Sequence, residues 1–229
     1  MSPVIVLCGG KGERLRSVVS DRPKVLAEVA GKPFLQHVIA RLQRDGAHSI
    51  VLSAGYKAEM IVDFVGGMAG VSVVSESEPL GTGGAIRFAA RAAEIAEPFF
   101  VLNGDTWFDG NLEALATFHR EHGARLSLGL TEVADASRYG RVEVDQDGTV
   151  ASFAEKSEEA APGWINAGLY FVQPEVLDLV PAGRKCSIER EIFPRLVGEG
   201  LFARQFTDAA FLDIGTPEDY ARAESLFSE

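Results

Sequence analysis

The residues whose types and spacing can do chemistry begin at the N-terminus. Cys8-Gly9-Gly10-Lys11-Gly12-Glu13-Arg14-Leu15 follows directly on the apolar run Val4-Ile5-Val6-Leu7. Gly9, Gly10 and Gly12 have no Cβ, so positive φ is open to them and backbone N–H groups can approach an anion closely. Lys11 and Arg14 add charge, and a guanidinium can grip two phosphate oxygens at once. Farther on, Pro23 stiffens the backbone just ahead of Lys24, a second cation for the same anion. Two apolar runs then end in acids: Phe99 to Leu102 runs into Asn103-Gly104-Asp105, and Phe211-Leu212 into Asp213. Carboxylates beside phosphate-type loops are hard oxygen ligands suited to Mg²⁺. Taken singly, each piece has a plainer reading as a tight turn, a solvated lysine or a helix cap.

Two named phosphate motifs fail on spacing. A Walker loop needs Lys-Ser/Thr after its last glycine, and Gly12 is followed by Glu13-Arg14. The dinucleotide fingerprint needs a third glycine where Leu15 stands. An ATPase and a dehydrogenase are therefore not the natural readings. A second glycine-rich turn, Glu78-Pro79-Leu80-Gly81-Thr82-Gly83-Gly84-Ala85, opens a helix and could present backbone groups to a flat ligand such as a base. Farther along, Asn166 and Glu155 are suited to paired sugar hydroxyls and Lys156 to a phosphate. Gly140 and Gly168 would let a ring lie against backbone. His119 and His122, three apart on one helix, read as a solvated face rather than a metal pair, and no Ser/His/Asp or Cys/His nucleophile pattern can be defended.

The elements that must position these groups follow from the pattern. The chain has 229 residues, 46% hydrophobic and 24% charged, enough for a large α/β core. Net charge is −11, which argues against nucleic acid or an anionic membrane as partner. Yet residues 1–32 carry a net +3, against −14 for the remainder, so a small anion held near the N-terminus is expected. Two distant cysteines, Cys8 and Cys186, no signal-peptide pattern and no apolar run of about 18 residues suggest a cytoplasmic protein.

Strands and helices alternate through the first half: strands at Ser49 to Ser53, Val71 to Ser75 and Phe99 to Leu102, helices at Pro33 to Asp45, Lys57 to Val65, Gly81 to about Glu94, and Leu112 to His122. That alternation predicts βαβ units and a mainly parallel sheet. From Arg125 the pattern turns to strands: Arg125 to Val133, Gly140 to Asp145, Thr149 to Glu155 and Trp164 to Val172. Antiparallel pairing there makes the sheet mixed. Helices are expected at Glu175 to Val180, Ser187 to Val197 and Glu218 to Phe227, the last capped by Thr216 with Pro217 in its first position. One domain over 1–229 is expected, with halves at about 1–123 and 124–229.

As a set, these motifs resemble the sugar nucleotidyltransferases. The match is carried by Leu7 to Leu15, Pro23-Lys24-Val25-Leu26, Gly31-Lys32-Pro33, Glu78 to Gly84, Asn103-Gly104-Asp105, Phe153-Ala154-Glu155-Lys156, Asn166-Ala167-Gly168 and Asp213-Ile214-Gly215-Thr216-Pro217, in the family's order and over nearly the whole chain. The resemblance implies a Rossmann-like three-layer α/β sandwich around a mixed, mainly parallel sheet. It also implies transfer of a nucleotidyl group from a nucleoside triphosphate to a sugar 1-phosphate, with Mg²⁺ as cofactor. Leu7, Gly9, Gly10, Gly12 and Arg14 would border the nucleotide, and Gly81, Thr82 and Gly83 its base. Arg14, Lys24 and Asp105 would carry catalysis, and Asp105 and Asp213 would hold the metal. Gly104, Gly140, Glu155, Lys156, Asn166 and Gly168 would bind the sugar phosphate. Cys8, where many relatives have alanine, would tune packing near the base.

The wording of Val101 to Thr106, Arg138 to Val142 and Ile214 to Tyr220 is similar to the guanylyltransferase branch that takes a manno-configured heptose 1-phosphate. N-acetylmuramate 1-phosphate uridylyltransferases and mannose 1-phosphate guanylyltransferases share much of the scaffold. A non-catalytic nucleotide or sugar-phosphate sensor on the same fold is the rival reading. Relatives are often dimers or tetramers, so a homo-oligomer is open. The chain ends one helix after Asp213, so no C-terminal β-helix or acyltransferase extension is expected.

Overall fold

The computed structural model describes residues 1–10, 12–154 and 160–227. The N-terminal half runs β1 (Val4–Leu7), β2 (Glu28–Val29), β3 (Lys32–Pro33), α1 (Phe34–Arg44), β4 (Ile50–Ala54), α2 (Ala58–Val65), β5 (Val71–Ser75), α3 (Gly81–Ala92), β6 (Phe99–Asn103), β7 (Thr106–Phe108) and α4 (Leu112–Glu121). Then come β8 (Leu126–Val133), β9 (Arg141–Val144), β10 (Val150–Ala154), β11 (Gly163–Val172), α5 (Phe193–Leu196), β12 (Leu201–Phe206), β13 (Phe211–Asp213) and α6 (Pro217–Phe227).

Strands β5, β4, β1 and β6 lie side by side and parallel. β11 closes against β6 antiparallel, and β8 against β11 antiparallel, before β12 returns parallel to β8. The β9–β10 hairpin joins β11 through Ile165 and Arg141. The result is the mixed sheet that the alternating and then strand-rich halves predict, with helices on both faces.

Residue alternation builds the two cores. Val4, Val6, Leu52, Phe100 and Leu102 point to one face, under α1, α2, α4 and α6. Ile5, Val51, Phe99 and Val101 point to the other, under α3 and α5. A strand buried on both faces reads as a continuous apolar run, which is why β1 and β6 look alike in sequence. Helix α1 sends Phe34, Leu35, Val38, Ile39 and Leu42 into its core; burying each contributes about 1.5–3 kcal/mol.

Several elements differ from expectation. The helix expected at Glu175 to Val180 is a 3₁₀ helix, Pro174–Leu179. The stretch after Ser187 opens as a single wide π turn, Ile188–Ile192, before α5. Pro194 has no N–H to give the preceding turn, which favours the wider ladder there. β7, only three residues long, had no pattern to announce it. His119 is buried, not on a solvated face. Its ring bonds Ser127 Oγ at 2.9 Å and Gln173 Nε2 at 3.1 Å, so it is a satisfied core histidine. Among the described residues no helix is long and apolar enough to cross a membrane.

Candidate active site

The carboxyl ends of β1, β4, β5 and β6 open onto one cleft of about 570 Å³. Ligands collect at this edge of open α/β sheets because the strand ends and the following helix starts leave backbone groups free. Of the nucleotide-binding residues expected from sequence, Leu7, Gly9, Gly10, Gly81, Thr82 and Asp105 line it. Gly12, Arg14 and Gly83 do not. Gly83 is turned inward, its N–H donating to Cys186 O at 2.9 Å.

At the Asp105 end three charges converge. Lys24 Nζ lies 2.5 Å from Asp105 Oδ2 and 3.9 Å from Asp213 Oδ1. Strand pairing makes this meeting: β13 runs antiparallel to β7 with Asp213 opposite Thr106, and Ile214 N–H donates to Asp105 O at 3.0 Å. Gly12, at φ +59°, packs so close to the Lys24 stem that a Cβ there would meet Lys24 Cβ at 3.1 Å. The glycine loop and Lys24 are therefore one unit. Arg14 reaches the same place, since a Cβ at Gly215 would meet both Arg14 Nη2 and Asp213 Oδ1 at 2.9 Å. Arg14, Lys24 and Asp213 thus gather around Asp105, the one of the four that lines the cleft.

Burial, followed by the Asp105 charge, pushes the Asp213 carboxyl above the usual carboxylate range. Its Oδ1 is sealed from solvent with no hydrogen-bond partner. An orphaned buried carboxylate oxygen beside a second carboxylate is a donor set that fits a hard divalent cation, whose other ligands would be phosphate oxygens and water. Among the described residues no group of three His, Cys, Asp or Glu forms a complete metal site.

At the opposite end stands Glu76, a residue that no motif marked. It lines the cleft just after β5 and is half-buried. Its Oε2 accepts from Leu80 N–H at 2.9 Å and its Oε1 from Ser53 Oγ at 3.4 Å. Burial raises its pKa above 4.5. Tyr56 and Lys185 also line the cleft. Behind the Gly81 turn, Thr82 Oγ1 donates to Glu189 Oε2 at 2.6 Å and accepts from Ile188 N–H at 3.0 Å. Gly81 holds φ +72°, and a Cβ there would meet Cys186 O at 2.6 Å, so only glycine fits the turn.

The residues assigned to the sugar phosphate are less concentrated. Gly140 is exposed at the start of β9. It follows Arg138 and Tyr139, whose loop is pinned by Arg138 to Asp219 at 2.7 Å. Tyr139 senses Asp213: burial and then that charge raise its pKa. Asn166 is engaged internally, accepting from Gly168 N–H and donating to Tyr170 OH, both at 2.9 Å. Gly168, at φ +72° in a β11 bulge, packs on Asn103. Gly104 is buried where a side chain would strike Leu7 O at 2.7 Å and Cys8 Sγ at 3.0 Å, a packing position rather than a cleft wall. Cys8 packs there too, away from the cleft lining, and burial keeps its thiol protonated. Lys11, Glu155 and Lys156 lie outside the described residues.

A family model described as nucleotidyl transferase matches residues 3–229. The chain belongs to that family. Among relatives of this nucleotidyl transferase is the D-glycero-alpha-D-manno-heptose 1-phosphate guanylyltransferase of Aneurinibacillus thermoaerophilus, 38% identical over 223 residues, with 96% of each chain covered. The mannose-1-phosphate guanylyltransferase of Mycobacterium tuberculosis is 37% identical over 227 residues, but this chain spans only 63% of its length. The same holds for the fly catalytic subunit beta enzymes, at 62%. Among solved structures, HddC from Yersinia pseudotuberculosis complexed with GMP-PN superposes at TM-score 0.84 with 36% identity, covering 99% of this chain and 100% of that one. A glucose-1-phosphate thymidylyltransferase from Bacillus anthracis, 20% identical at TM-score 0.84, shares the fold.

Proposed function

We propose that this chain is a sugar 1-phosphate guanylyltransferase that joins GTP to a manno-configured heptose 1-phosphate, giving GDP-heptose and pyrophosphate. The observation that carries the reading is one cleft with the Glu76 carboxylate at one end and, at the other, Asp105 backed by Lys24, Asp213 and Arg14. Guanine alone among the common bases presents two adjacent donors, N1–H and N2–H₂, on its pairing edge. A carboxylate accepts both, so Glu76 matches guanine and mismatches uracil, whose edge alternates acceptor and donor. The relatives support the same base. A heptose 1-phosphate guanylyltransferase 38% identical to this chain supports the sugar.

The chemistry needs few groups. A phosphate oxygen of the sugar 1-phosphate attacks the α-phosphorus of the triphosphate in line; the bond to the β-phosphate oxygen breaks, and pyrophosphate leaves with the electron pair. A phosphate monoester has its second pKa near about 6, so at neutral pH the nucleophile is already dianionic and no general base is required. What must be overcome is repulsion between two anions. Lys24, held between Asp105 and Asp213, is placed to move onto phosphate oxygens as they arrive, and Arg14 to grip the leaving phosphates. Asp105 and Asp213 would hold Mg²⁺, which when bound neutralises phosphate charge. Gly140, beside the loop held by Arg138, would contact the sugar phosphate, as would Glu155 and Lys156.

We place the enzyme in the cytoplasm, supplying a nucleotide sugar for cell-surface polysaccharide. One domain over 1–229, in the two halves described, is the arrangement we favour.

The test is a matrix of four nucleoside triphosphates against heptose, mannose, glucose and N-acetylmuramate 1-phosphates, scored by pyrophosphate release. Turnover of GTP with the heptose is expected to exceed every other pair. Best turnover with mannose 1-phosphate would move the sugar, and best turnover with UTP would overturn the base. Nucleotide binding without any pyrophosphate would favour the sensor.

A further inference from the structure

A second cleft, of about 500 Å³, lies on the other side of the turn that begins α3. Leu80, Phe88 and Pro181 give it an apolar wall, and Arg87, Arg91 and Arg184 give it three guanidinium groups. Its volume is close to that of the nucleotide cleft, so it admits a molecule of nucleotide size. Gly84 lets Leu80 pack down against α3, for a Cβ there would meet Leu80 Cβ at 2.8 Å.

The charge is out of keeping with the rest of the chain. Net charge is −11, yet no acidic residue lines this cleft among the described residues. Arg184 is paired with Glu191 at 2.7 Å and donates to Lys185 O at 2.9 Å. Arg87 and Arg91 form no salt bridge among the described residues. Arg87 Nε is in addition sealed from solvent without a hydrogen-bond partner. A buried donor without an acceptor is costly, and the missing partner here is an acceptor of negative charge. Arginine forks match phosphate oxygens two at a time, and their planes, with the half-exposed ring of Phe88, stack on a base.

We propose that this cleft is a second anion site, taking a nucleotide-sized molecule that carries at least two phosphoryl charges. It is separate from the catalytic cleft but joined to it through the chain: Arg184 lines one and Lys185 the other. Cys186 ties both to the Gly81 turn, donating its N–H to Leu80 O and accepting from Gly83 N–H, each at 2.9 Å. The proposal concerns binding alone and does not require the reaction proposed above.

Isothermal titration of the full chain with inorganic pyrophosphate, and separately with GDP, counts the sites. Two classes are expected on the native chain, and one on Arg87→Gln/Arg91→Gln. Arg91→Glu changes a single exposed residue, so its folding is safe; it should weaken the second class by about ten-fold or more. Binding of both probes in that class shows that the phosphate chain suffices, and binding of GDP alone shows that the base is read as well. A single class with the same affinity in all three proteins would overturn the site.

Discussion

On the proposed reading, Glu76 selects the base by what its two oxygens can accept. A Glu76→Gln variant keeps the size but turns one acceptor into a donor, which faces a guanine donor head-on. A bidentate base contact is worth about 1–3 kcal/mol, so kcat/KM for GTP should fall about 10- to 100-fold while UTP gains relative to it. Equal losses for both triphosphates would remove Glu76 from base recognition. The pH sign follows from burial, which raises the Glu76 pKa above 4.5. On that reading the ionised form takes the guanine donors, so KM for GTP should climb as pH falls toward that raised pKa, and Glu76→Gln should lose this dependence. At the other end of the cleft, Asp105→Asn and Arg14→Ala should each lower kcat roughly 10²–10³-fold, the usual cost of one preorganised charge partner. Near-native turnover in a variant with an unchanged circular dichroism spectrum would refute the role.

Helices α1 and α4 hold the elements behind the site through buried polar side chains. Arg41 of α1 is buried, and its guanidinium donates to Phe108 O and, at 2.6 Å, to Gly110 O. Phe108 O ends β7 and Gly110 O lies two residues beyond it, while Asp105 stands just before β7, whose Thr106 pairs with Asp213. Arg41→Leu strands two acceptors at about 1–3 kcal/mol each, so a total near 3 kcal/mol is expected, or a Tm drop of about 6–12 °C in a chain of this size. A drop below a degree would show that water replaces the bonds without loss. His119 of α4 makes a pH prediction of its own. Burial lowers its pKa from 6.5 to about 4. The unfolded chain then takes up this proton before the folded one, so its contribution is complete above pH 6.5 and is lost as pH falls to about 4. The full loss is about 3 kcal/mol. Urea unfolding across this range should show a flatter profile for His119→Gln than for the native chain.

At the scale of the molecule, the site is assembled from both ends of the sequence. Leu7 and Lys24 come from the beginning, Asp105 from the middle, and Asp213 arrives on β13 just before the last helix. A ligand that spans the cleft therefore ties these parts together. At about 100 times its Kd, GDP should stabilise the fold by about 2.7 kcal/mol, a Tm rise of roughly 5–10 °C. UDP at the same concentration should do less, and equal shifts would count against the guanine preference.

What could be read from the chain is what local physics writes locally. Apolar runs gave β1, β4 and β6, period 3.6 gave α1 to α4, and Gly12 and Gly81 stood where the turns take positive φ. The ordered motifs carried the family. Pairs far apart in sequence left no such mark. Glu76 follows an ordinary strand, and it reaches the cleft because β5 ends beside β4, one strand from β1. His119 looks like any helix-face histidine until Ser127 and Gln173 close around it. Asp105 and Asp213 were each plausible turn acids, and Lys24 a plausible surface lysine. Only the pairing of β13 with β7 brings the three within reach, because strand register is fixed by packing across the whole sheet and not by the residues it brings together.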